Sequence, residues 1–174
     1  MELFRLQQSK HWFDRLMPSY RSPARYHNKG KPIYTAGTRR LAVLEQLRAL
    51  DGVPVPRRII QKLSFTMVKI TCSLEDCDIT YIDPAVLSAN WWRVSSHQAI
   101  ETQQIGDQWW EECSSLALGV PSAAVQPSLS LETDWNFLLN PEHPKFGDFS
   151  ADITYVIEEP FDLIRFLSKQ DDLE

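Results

Sequence analysis

Apolar and polar positions change period several times along the chain. "MELFRL" opens it with an apolar stretch suited to a short strand. In "QSKHWFDRLM", residues 8–17, the residues Trp12, Phe13, Leu16 and Met17 fall at the spacing of a short helix. Pro18, Pro23, Gly30 and Pro32 then interrupt any regular pattern and predict a loop. "IYTA" reads as a short strand, and residues 38–50 read as a helix stopped by Asp51-Gly52. "KLSFTMVKITC" and "CDITYID" alternate well enough for two strands. "TQQIGDQWWEECSS" has helical spacing, and "LALGVPS" is a buried strand ended by proline. "WNFLLNPEHPKFGDF" reads as a loop rich in Asn, Pro and His, and "DITYVIEEPFDLI" supplies one or two last strands. Strands and helices are interspersed without regular βαβ repetition. The pattern predicts an α+β protein with a mixed sheet, in one domain over residues 1–174.

Composition narrows the functional classes. A chain of 174 residues can bury a real core as one domain. Its net charge of −5 argues against a general nucleic-acid surface, so no direct nucleic-acid binding is expected. Three Cys, an odd number, argue against a disulfide framework; reduced thiols in a cytoplasmic protein are expected. The N-terminus has no basic segment followed by an apolar run, so no signal peptide is expected. No apolar stretch approaches the roughly 18 residues of a membrane span. His11, His27, His97 and His143 show no ligand spacing, so no metal is expected.

The informative chemistry lies in "ARYHNKGKPIYTAGTRRLAVLEQL", residues 24–47. On the helix, Glu45 neighbours Leu41, Ala42 and Ala49, because positions three and four apart share a face. Desolvation there makes its charge costly. The ordinary alternative is an exposed Glu45 paired with Arg48, worth about 0.2–0.5 kcal/mol. Arg39 and Arg40 stand in the first helical turn, where the helix dipole is positive, at a cost of roughly 0.3–1 kcal/mol each. They call for a compensating anion, either an acidic neighbour or a bound phosphate. Upstream, Arg25, Lys29 and Lys31 surround a glycine turn, which reads either as a solvated basic turn or as a phosphate clamp.

The run Arg25, Gly30, Pro32 to Ala36, Arg40, Leu41-Ala42 and Leu44-Glu45 resembles the core motif of the RES domain. Four later segments extend the resemblance in order. They are "LSANWW" at 87–92, "TQQIGDQWW" at 102–110, "LALGVPSAAV" at 116–125 and "NFLLNPEHPKF" at 136–146. The resemblance implies an ADP-ribosyltransferase-like split sheet that binds NAD in a cleft. It implies a toxin of a bacterial type II toxin–antitoxin pair, which degrades NAD or, alternatively, transfers ADP-ribose to a protein. It implies Glu45 as catalytic carboxylate, Tyr34 as the wall for nicotinamide and its ribose, and Arg25 as the diphosphate clamp. Ser122 corresponds to the family's named Ser. Asn136, Asn140 and Arg5 are further candidate contacts. Where the family usually has Gly-Arg-Trp-Asn, this chain has Ala24-Arg25-Tyr26-His27, which leaves Arg21 as the alternative clamp. The implied partner is an Xre-type helix-turn-helix antitoxin. A reading of a different kind is a non-enzymatic module docking through Arg25, Arg39 and Arg40.

Overall fold

A computed structural model describes residues 1–8, 16, 18, 24–50, 64–93, 99–129 and 134–161. The elements are β1 (Glu2–Gln8), β2 (Ile33–Ala36), α1 (Arg39–Leu50), β3 (Phe65–Thr71), β4 (Ile79–Tyr81), α2 (Ile100–Glu112), β5 (Ala117–Pro121), β6 (Trp135–Leu139), α3 (Phe146–Ala151) and β7 (Thr154–Phe161). The strands form one seven-stranded sheet in the order β4-β5-β6-β2-β1-β3-β7. Among the described residues, only β4 and β5 run parallel; every other neighbouring pair is antiparallel. This is the expected α+β class with a mixed sheet.

The two halves of the sheet meet at a narrow seam. β1 and β3 stay in register from Glu2↔Thr71 to Gln8↔Phe65. By contrast, β1 joins β2 through the single pair Phe4↔Ala36. Among the described residues, the sheet therefore has a four-stranded and a three-stranded half joined by this one register pair. Residues directly opposite in a sheet share a face. Phe4, Leu6 and Ala36 accordingly pack with Leu41, Ala42 and Val43 of α1. Further along the same face, Leu118, Val120 and Leu138 pack with Trp109 of α2. The opposite face holds Leu3, Ile33, Val68, Ile70, Phe137 and Leu139, covered by Phe149 of α3.

The segment expected to be a loop over 135–149 departs from that expectation. Trp135–Leu139 is an interior strand, paired with both β2 and β5, and Phe146–Ala151 is a helix. Both faces of this strand are covered, so it has no reason to alternate apolar with polar residues. The breakers begin only at Asn140-Pro141, after the strand ends. Of the helix expected over residues 8–17, Gln8 belongs instead to β1, and residues 9–15 and 17, like the helix stop at Asp51-Gly52, lie outside the described residues.

α1 begins where the sequence sets it. Thr38 caps the helix: its Oγ1 accepts from the Leu41 backbone N–H at 3.1 Å, and its carbonyl accepts from Ala42 N–H. Thr38→Ala should lower unfolding stability by about 1 kcal/mol. Denaturant titration checks this: the midpoint should fall with an unchanged slope, and an unmoved midpoint would deny the cap its role.

Candidate active site

The basic turn is seated on α2. Ala24 N–H donates to the His27 carbonyl at 2.9 Å, closing a tight turn with Arg25 and Tyr26 at its tip. Four residues of α2 hold it. Thr102 Oγ1 donates to the Arg25 carbonyl at 2.6 Å and Gln103 Nε2 to the Ala24 carbonyl at 2.8 Å. Asp107 Oδ1 accepts from the N–H groups of Asn28 and Lys29 at 2.8 and 2.7 Å. Gly106 lets the backbones meet, since a Cβ there would stand 1.7 Å from the Tyr26 carbonyl oxygen. The turn leaves through Gly30 at φ +72°, a conformation that favours glycine. Lys29 is bound to Glu111 at 2.6 Å in this arrangement, so its charge serves the docking.

Five residues expected in the site converge on the face covered by α1 and α2. Glu45 Oε1 accepts from Ser122 Oγ at 2.6 Å and from Asn136 Nδ2. Ser122 is buried at the end of β5, and its oxygen also accepts from Ala124 N–H at 3.0 Å. Asn136 is buried on β6 and paired with Ala36, which puts it on the face of Tyr34. Among the described residues, no donor reaches the other Glu45 oxygen, Oε2. The carboxylate is thus fixed through Oε1.

Arg25 is 8% exposed and donates from Nη1 to the Trp91 carbonyl at 2.8 Å. Burial holds its pKa below the ordinary value, and the neighbouring Arg48 adds to that; Tyr26, Glu45 and Tyr34 act the other way. Arg48 donates to the carbonyls of Ala123 and, at 2.8 Å, of Trp92. The consecutive carbonyls of Trp91 and Trp92, from the "LSANWW" segment, therefore receive the two guanidinium groups. Two neighbouring cations beside one carboxylate form a site suited to an anion. Burial pushes the Tyr34 phenol far above its usual pKa, and the nearby Glu45 acts in the same direction. Tyr26 is raised likewise, and its hydroxyl donates to the Pro121 carbonyl at 2.7 Å.

Two expected contacts lie elsewhere. Arg5 is one residue from Phe4, so it faces the sheet side opposite Tyr34 and Asn136. Asn140 lies beyond the end of β6, where its Oδ1 accepts from Glu142 N–H at 2.9 Å and its Nδ2 faces Cys113 Sγ at 3.5 Å. It shapes the turn into α3. The first-turn arginines find ordinary compensation: Arg40 Nη1 lies 3.2 Å from both oxygens of buried Asp134, and Arg39 lies over the Phe4 ring at 5.6 Å. With Arg25 buried, the three arginines do not form one docking surface. Arg21 is outside the described residues.

Sequence reasoning missed two residues. Arg48 entered only in the ordinary alternative, as a surface partner of Glu45, yet it turns to the carbonyls of two distant segments. His27 gave no signal as a lone histidine in a turn, and its ring nitrogen Nδ1 lies 2.7 Å from Tyr34 Oη.

The fold, a mixed α+β sheet in two halves, resembles that of a solved toxin chain. That chain is MbcT in the crystal structure of the M. tuberculosis MbcT–MbcA toxin–antitoxin complex, with TM-score 0.60 and 10% identity over 96% of this chain and 87% of that one. In sequence, the chain is 32% identical to Toxin Res of Yersinia enterocolitica over 123 residues, 70% of each chain. It is 31% identical to Toxin Res of Pseudomonas putida over 126 residues, 72% of this chain and 75% of that one. The sequence profile of the RES domain matches residues 2–164, and the chain belongs to the RES domain family.

Proposed function

We propose that this chain is the toxin of a bacterial toxin–antitoxin pair and that it destroys NAD by breaking the nicotinamide–ribose bond. The observation that carries this reading is the state of Glu45. Ser122 and Asn136 hold one carboxylate oxygen, and among the described residues the other has no donor. In NAD the nicotinamide ring is already cationic, so it leaves with the bonding electron pair and needs no acid. The barrier is then the positive charge that develops at the ribose. A fixed carboxylate stabilises that charge and accepts a hydrogen bond from a ribose hydroxyl. Tyr34 supplies a flat face for the departing ring. Arg25, with Arg48 beside it, holds the diphosphate so that the ribose stands against Glu45. Water then attacks the ribose carbon and releases ADP-ribose. Ser122 positions the carboxylate; its hydrogen already goes to Glu45, which leaves it no role as an activated nucleophile.

The partner in this reading is an antitoxin of the Xre helix-turn-helix type that covers the cleft. The solved complex of a similarly folded toxin with its antitoxin supports an antitoxin as partner. Induced expression in a bacterial host tests the reading. The wild-type chain should deplete cellular NAD and arrest growth. Arrest with an intact NAD pool would overturn it.

A further inference from the structure

The turn that carries Arg25 also carries His27, which the chemistry above does not use. Its ring is 1% exposed, with Nδ1 2.7 Å from Tyr34 Oη and the two ring centroids 5.5 Å apart. Desolvation keeps the Tyr34 phenol protonated, so its hydroxyl has a hydrogen to give and lone pairs to accept with. Nδ1 and Oη therefore share one hydrogen bond, donated by the imidazole or by the phenol according to the tautomer.

We propose that His27 is a positioning residue that ties the Tyr34 ring to the turn bearing Arg25. This role rests on the NAD-cleaving reading of the site. The tie fixes the ring at both ends. Its Cα belongs to β2, paired with Leu138, and its hydroxyl is held by a turn that four residues of α2 hold in place. The aromatic wall and the phosphate clamp are thereby set relative to each other through one short hydrogen bond. A phenol ring released at its hydroxyl end swings about its side-chain torsions, and small displacements at a reacting centre have large kinetic effects.

The test is a kinetic cycle on the whole chain with NAD as substrate. His27→Leu and Tyr34→Phe should each lower kcat/KM by about tenfold, and the double variant should be no worse than either single one. His27→Asn should recover most of the activity, because its amide can accept from or donate to the phenol oxygen where Nδ1 stood. Multiplicative losses in the double variant, or a His27→Asn as poor as His27→Leu, would overturn the role. Should His27→Leu not fold, the nitrogen-15 spectrum of the imidazole decides: the Nδ1 signal should move on Tyr34→Phe, and an Nδ1 signal identical in the two proteins overturns the tie. A wild-type chain inert toward NAD would overturn the function and this role with it, whereas the spectrum reads the hydrogen bond independently of activity.

Discussion

Glu45→Gln should lower NAD turnover at least about a hundredfold and leave the fold intact. Groups that stabilise charge developing in a transition state are worth about two to three orders of magnitude each in rate. The amide keeps the shape of the side chain and keeps an oxygen that accepts from Ser122 and Asn136. What it loses is the negative charge opposite the ribose. A melting curve matching wild type alongside the lost turnover would locate the effect in the chemistry. Retained turnover would remove Glu45 from the catalytic role.

Gly106→Ala should both destabilise the chain and cripple the site, although alanine is the better helix former. Helix propensity favours alanine by about 1 kcal/mol. Against this, the new Cβ would meet the Tyr26 carbonyl oxygen at 1.7 Å. That atom belongs to a backbone turn held by Thr102, Gln103 and Asp107, so it cannot swing aside as a side-chain tip can. Overpacking of this kind costs about 1–3 kcal/mol, and the clash is with main chain, so the steric term wins. Displacing the turn moves Arg25, and a shift of about 1 Å near a reacting centre can cost on the order of a hundredfold in rate. Thermal unfolding and NAD turnover measured on the same preparation check this. An alanine variant equal to wild type in both would mean that the turn is not seated on α2 as described.

The parts of the site legible in the sequence are those joined by short, uninterrupted chain. Tyr34 and Glu45 are separated only by the end of β2, a capped turn and two turns of α1, so their placement follows from local structure. Ser122 is legible as the polar residue that ends an apolar strand. Asn136 and Asn140 are harder to separate, because both flank the same apolar run. A strand rises about 3.3 Å per residue, so four residues place them about 13 Å apart, and only one can serve the carboxylate. Arg5 turned on face parity, which the register Phe4↔Ala36 decides and the chain's own pattern does not. Arg48 was hidden for a similar reason: its acceptors, Ala123 and Trp92, come from remote segments. The strand Trp135–Leu139 was obscured because an interior strand with both faces covered lacks alternation, and the prolines that follow it suggested a loop.

The most direct measurement is a proton NMR time course of NAD with the purified chain and no added protein acceptor. The account predicts free nicotinamide and free ADP-ribose appearing together in equal amounts. Unchanged NAD after prolonged incubation with folded protein would contradict it, as would nicotinamide release only when a protein acceptor is supplied.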